Sequence, residues 1–255
     1  MKRRSIRRVD RHGQLLLDFK SWGGRRPGAG RKPKGKCAGV RHRPRRSFPQ
    51  RYPLHVTARM LPIGSLRRPR CVRVVREALS KGSRREGFRV VHFSVQSNHI
   101  HLICEADDRL ALSRGLQGLF IRIARALNKQ LGRKGTVFAD RYHDRVLTSA
   151  AEVRNALAYV LSNARRHAAQ RGRSYGRGWI DPCSSGCDFD GWSGSYWVTR
   201  RLTDDPPLPR ARTHLLSRGW QKAGPIRVDE VPGGRRIRRR LPTEQRQTPG
   251  DMRWR

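Results

Sequence analysis

The chain has 255 residues, a formal net charge of +39 and a sequence pI near 11.8. Apolar residues make up 36% of it, which is low for a chain folded throughout and implies a compact centre with basic ends. The charge calls for a polyanionic partner, nucleic acid before a membrane surface, because no apolar run is long enough to span a bilayer and no basic amphipathic helix carries a clean aromatic face.

The first 46 residues read as a disordered basic arm. They include "WGGRRPGAGRKPKGK" and "RHRPRR", and Asp10 and Asp18 are their only acids. Gly and Pro interrupt every candidate element. The arm suits phosphate contact, and "GAGRKPK" resembles a minor-groove hook. The only apolar run near the start, Leu15 to Leu17, is too short for a signal peptide, so a cytoplasmic, nucleoid-associated protein is expected. Five cysteines, Cys37, Cys71, Cys104, Cys183 and Cys187, are odd in number and scattered, as reduced thiols are. Cys183 and Cys187 have no second pair to complete a tetrahedral zinc site.

Between residues 47 and 170 the pattern becomes that of a folded domain. "YPLHVTARM" alternates Leu54, Val56 and Ala58 on one face, as a strand does. "RPRCVRVVREALSKG" spaces Cys71, Val74, Val75, Ala78 and Leu79 as a helix that closes near Gly82. "FRVVHFSVQ" is a strand with Val91, Phe93 and Val95 on one face, and "HIHLICEA" is its hairpin partner across "QSN". A long helix follows, with Leu112, Leu116, Leu119, Ile123 and Leu127 as its stripe and Gly132 at its end. "TVF" and "DRYHDRVLTS" supply another strand. "TSAAEVRNALAYVLSNARRHA" is a single helix, and Ser149 and Glu152, spaced as a capping box, start it near Ala150. The order strand, helix, strand, strand, helix, strand predicts an α+β, ferredoxin-like split β-α-β antiparallel sheet, with the last helix added. Residues 171–200 form an appendix rich in Gly, Ser and aromatics, and residues 201–255 a basic tail with a short helix around "RTHLLSRGW".

The chemistry lies in "VQSNHIHLI". A strand points residues i and i+2 the same way, so His99 and His101 are neighbours on one face while Ile100 and Leu102 turn to the other. Two such imidazoles suit a shared divalent cation with open positions. Alone, the pattern is more often two satisfied polar side chains. Tyr159 and Asn163, at i and i+4, share a helix face; Asn163 offers an amide oxygen as a third ligand, and Tyr159 a phenol beside a bound phosphate. Each also has an ordinary reading, as a rim aromatic and as a polar residue near a helix end.

In combination, "NHIHLI", a long helix, "FADRYHDRVL" and "YVLSN" resemble the single-tyrosine HUH transposases, most closely their REP-associated, insertion-sequence-like branch. The resemblance covers about Pro53 to His167. It implies a metal site of His99, His101 and Asn163 for Mg2+ or Mn2+, with Tyr159 as nucleophile. It implies cleavage and rejoining of single-stranded hairpin DNA through a 5′-phosphotyrosine, by a monomer or homodimer. Gln96-Ser97 stand where the family often has Met-Pro, and Ala164 where it commonly has Pro; neither change removes a ligand or the nucleophile.

Tyr142, the competing phenol, has Val146 at i+4 and no ligand there. His92 and His143 read as surface or supporting residues, and Asn98 as the residue shaping the turn before His99. Arg114, Arg122, Arg125, Arg141 and Arg145, with Asp140, are candidates for holding or orienting DNA phosphates. Trp179, Trp192, Tyr196 and Trp197 either stack on unpaired bases or form the core of the appendix. The rival to an enzyme is a domesticated relative that binds hairpin DNA or RNA without cutting it.

Overall fold

The computed structural model describes residues 47–194 and 208–233; the basic arm, Tyr196, Trp197 and the tail from residue 234 lie outside them. The elements are β1 (Leu54–Arg59), α1 (Pro69–Gly82), β2 (Arg84–Arg85), β3 (Phe88–Val95), β4 (His99–Ala106), α2 (Arg109–Gln130), β5 (His143–Val146), α3 (Ala150–Leu161), α4 (Asn163–Gln170), β6 (Trp192–Ser193), α5 (His214–Ser217) and β7 (Ile226–Arg227). The main sheet has the order β2-β3-β4-β1-β5, and every neighbouring pair is antiparallel. Leaving out the two-residue β2, this is the strand order of the expected ferredoxin-like sheet. No helix among the described residues is long and apolar enough to cross a membrane.

Two apolar layers sandwich the sheet. On one face Val56, Phe93, Ile100 and Leu102 pack with Val75 and Leu79 of α1 and with the full predicted stripe of α2, Leu112 to Leu127. On the other face Val91 and Ile103 pack with Val153, Leu157 and Val160 of α3, together with Phe189, Leu216 and Trp220 from later in the chain. Asp108 caps α2 by accepting from Ala111 N at 2.7 Å, and Gly132, at φ +61°, closes it.

Three local expectations need correction. In β3 the pairing passes from Val90–Cys104 to His92–Ile103, so a bulge inserts Val91. The bulge divides the predicted face: Phe88 and Val90 join Phe93 and Val95 in the α1/α2 layer, and Val91 joins the α3 layer. The single last helix is two helices, α3 and α4, because Ser162 has φ −111° and ψ 21°. Ser162 and Asn163 are consecutive residues whose side chains compete with helical backbone bonding. At the capping box, Ser149 Oγ accepts from Glu152 N as expected, but Glu152 Oε2 accepts from Thr148 N at 2.8 Å and not from the cap residue itself.

The segment after α4 is held by arginines. Arg67 donates to both oxygens of the buried Asp181, at 2.9 and 2.7 Å, and to Val95 O. Arg76 donates to Ser184 O, and Arg165 donates to the carbonyls of Tyr175, Gly176, Arg177 and Trp179. Further on, buried Glu105 of β4 accepts from Arg212 N, Thr213 N and Thr213 Oγ1, which docks the start of α5.

Helix α2 meets the sheet most closely at Gly115, where a Cβ would lie 2.2 Å from Phe88 Cγ. Gly115→Ala gains about 1 kcal/mol of helix propensity and meets an overpacking cost of about 1–3 kcal/mol. We expect net destabilisation, read as a lower urea midpoint at unchanged m value; a raised midpoint contradicts this packing.

Candidate active site

The α3 face of the sheet is polar over two strands. Register places Thr57 of β1 opposite His101 of β4, and His55 opposite Ile103. Opposite residues share a face, so His55, Thr57, His99 and His101 form one patch. His101 Nδ1 lies 3.0 Å from Thr57 Oγ1 and 3.1 Å from His55 Nε2. His99 Nδ1 lies 2.8 Å from Asn98 Oδ1. The two remaining nitrogens, His99 Nε2 and His101 Nε2, face each other at 3.0 Å.

When each Nδ1–H donates to its oxygen partner, both Nε2 lone pairs point into the same gap. That arrangement needs a shared proton or a cation. Nitrogens ~2.1 Å from one octahedral ion stand ~3.0 Å apart, so the observed separation fits a common ion. His101 is buried, and burial together with His55, His99 and His167 lowers its pKa to about 2. Burial, His167 and Arg59 lower that of His99 as well. Both imidazoles are therefore neutral at ordinary pH, the form that binds metal.

Asn163 supplies the second indication. It is fully buried, and among the described residues neither its Oδ1 nor its Nδ2 has a hydrogen-bond partner. An unmet buried amide costs about 1–3 kcal/mol and is rare in native proteins. Asn163 opens α4 directly after the break at Ser162. Ser162 N still bonds Ala158 O, and Arg166 N bonds Ser162 O. Tyr159, four residues before Asn163, packs its ring edge-on against His101 at 5.1 Å between centroids and against His55 at 5.8 Å. His167, four residues after, acts electrostatically on both His99 and His101. Among the described residues no group of three or more His, Cys, Asp or Glu is arranged to hold a metal; the histidine pair needs an amide such as Asn163 to complete three ligands.

Half-buried Tyr159 opens onto a groove of about 1590 Å³. His55, Arg145, Asn155, Arg166 and Arg177 line it, together with residues from the stretch 223–233. Burial and Arg145 lower the pKa of His55 to about 4. Tyr142 packs against the opposite, α1/α2 core, its ring 6.2 Å from Phe120, and does not share the histidine patch.

The arginine candidates separate. Arg145 reaches the groove but is paired with Glu152. Arg141 lies exposed just before β5, its N donating to Asp140 Oδ1. Arg114, Arg122 and Arg125 are exposed on α2, the helix that covers the other face of the sheet, so they do not converge on Tyr159. Trp179 stacks on Tyr175 at 3.7 Å, which occupies one face of its ring. Trp192 packs on Phe189 and donates to Gly186 O, which favours the core reading for that residue. His143 is exposed, whereas burial lowers the pKa of His92 to about 4, beside Ser185 and Phe189 and apart from the patch. Sequence reading missed His55, Arg166 and His167. His55 was recoverable as the polar alternation of β1, and the other two as residues seven and eight beyond Tyr159.

Residues 65–163 match the family described as "Transposase IS200 like". The matched span contains Asn98, His99, His101 and Tyr159 and ends on Asn163, which agrees with the resemblance read from those residues. Two solved structures are similar. One is a REP-associated tyrosine transposase bound to a REP hairpin, at 16% identity and TM-score 0.39, covering 50% of this chain and 74% of that one. The other is a putative transposase from Deinococcus radiodurans R1, at 11% identity and TM-score 0.33, covering 54% and 98%. Neither likeness is close enough to bear on the site. No curated protein matches the chain.

Replacing the Asn163 amide by an apolar group of similar size removes the unmet polar atoms. Asn163→Leu should therefore raise metal-free stability by about 1–2 kcal/mol while removing any thermal shift that Mn2+ gives the parent. Thermal denaturation with chelator and with Mn2+ tests both effects. A less stable metal-free variant would show that the amide has a partner in the fold.

Proposed function

We propose, from the premise that residues 65–163 are an IS200-like transposase segment, that the chain cleaves and rejoins single-stranded hairpin DNA at Tyr159. The observation that supports this most is the contact of the Tyr159 ring with His101, on the face where two imidazole nitrogens converge and where Asn163 follows by four residues. His99 Nε2, His101 Nε2 and the Asn163 amide oxygen are the donors that would hold Mg2+ or Mn2+. When bound, that ion polarises the scissile phosphate and favours loss of the phenol proton.

The chain's own groups do the rest. Asn98 and Thr57 orient the two imidazoles, and burial keeps them uncharged. The α3 helix and the His55 and His101 rings fix the phenol at the groove. Tyr159 Oη, its proton given up to solvent, attacks phosphorus. The bond from phosphorus to the 3′-oxygen breaks, and that oxygen takes up a proton. The strand is left with a 3′-OH, and the other end is a 5′-phosphotyrosine. The ester conserves the phosphodiester bond energy, so a second 3′-OH can reverse the step and join strands.

The test is incubation of the full chain with hairpin oligonucleotides and Mn2+, followed by denaturing electrophoresis for a covalent adduct. Tyr159→Phe removes only the attacking oxygen and should abolish the adduct while leaving fold and DNA affinity nearly unchanged. His101→Ala should abolish it through loss of metal. Tyr142→Phe should retain it. An adduct that survives Tyr159→Phe overturns the assignment; no adduct with the unaltered chain on any hairpin favours a protein that binds without cutting.

A further inference from the structure

The Tyr159 ring carries a guanidinium, and both residues line the groove. Arg166 Cζ lies 5.2 Å from the ring centroid. The same guanidinium approaches the turn at Gly233, where a Cβ would come within 3.2 Å of Arg166 Nη1. Gly233 has φ +74°, so this close backbone approach suits glycine. In contact with both a ring and a backbone turn, the planar group loses little further freedom on binding.

Three of the four other arginines lining the groove are already ion-paired. In the same groove Arg145 is paired with Glu152, Arg154 with Glu230, and Arg227 with Asp229. Arg165, the preceding residue, spends its donors on backbone carbonyls. For the Arg166 guanidinium, no hydrogen bond or ion pair is found among the described residues, although the residue's backbone N bonds Ser162 O. The guanidinium lies over the Tyr159 ring, and the groove carboxylates Glu152, Asp229 and Glu230 are paired with other arginines; a guanidinium in that position recognises a phosphate oxyanion.

We infer that Arg166 binds a backbone phosphate of the single strand lying in the groove and so positions that strand over Tyr159. The positioning part rests on Tyr159 as the nucleophile; the phosphate contact stands independently of it. The groove is then a binding surface for single-stranded DNA, completed by a C-terminal turn that lies outside the family-matched span.

The test uses the full chain carrying Tyr159→Phe, so that no adduct forms, titrated with a fluorescent oligothymidylate over a series of salt concentrations. Adding Arg166→Gln should lower affinity roughly tenfold or more at low salt and make the log–log salt slope shallower by ~0.7, the contribution of one phosphate contact. Arg166→Lys keeps the charge and should keep the slope. Arg166→Met, which retains the apolar stem, gives the same reading as the Gln variant should that variant fail to fold. A group that only packs on Tyr159 would alter the thermal midpoint and leave the slope unchanged, and that result overturns the inference, as does a parent that binds no single strand. Absence of an adduct in chains with Tyr159 intact would overturn the nucleophile assignment alone, since the salt slope still decides Arg166.

Discussion

Two imidazole nitrogens, His99 Nε2 and His101 Nε2, stand 3.0 Å apart on one face of a central strand. Strand periodicity brings them to that face, and pairing with β1 on one side and β3 on the other holds the strand in place. The same alternation sends Ile100 and Leu102 into the opposite core. A slip of one residue would exchange the two sets, placing imidazoles among leucines, so apolar burial enforces the geometry of the polar site. The outer nitrogens are tied as well, His101 to Thr57 and His55, His99 to Asn98. Little is left to rotate, and the convergence of the pair is built in before any ligand arrives.

A net charge of +39 does not translate directly into a nucleic-acid surface. Arg67, Arg76 and Arg165 use their donors to fasten the segment from Tyr175 to Asp188 onto the sheet and helices. Arg154 does the same for residues 225 and 230. These arginines satisfy irregular backbone and carboxylates that would otherwise be buried unpaired. The groove beside Tyr159 is consequently assembled from β1, α3, α4 and the stretch 223–233, segments from both sides of the family-matched span and from within it.

The sheet order, the α2 stripe and the start of α3 were legible because each rests on a strong local rule: alternation, helical spacing or a cap. The two histidines were legible for the same reason. The bulge at Val91 was not, because a one-residue insertion changes the partner's register and leaves no trace in the strand's own composition. The break at Ser162 was hidden by an apolar and basic pattern that runs through it. Arg114, Arg122 and Arg125 were correctly read as an outer helix face, but the sequence does not say which side of the sheet that helix covers. His55 stands on the half of the alternation opposite Leu54, Val56 and Ala58, where the strand alone names no partner for it. Its role depends on the pairing of β1 with β4, a contact between residues 46 positions apart.

The claim on which the account turns is that one cation joins His99, His101 and Asn163 beneath Tyr159. A crystal structure of the full chain grown with Mn2+, with anomalous diffraction collected at the manganese edge, tests it most directly. The account predicts a peak bonded to His99 Nε2, His101 Nε2 and Asn163 Oδ1, with Tyr159 Oη facing its open side. A peak elsewhere, or an Asn163 amide turned toward a protein partner with the histidine pair simply sharing a proton, would contradict it.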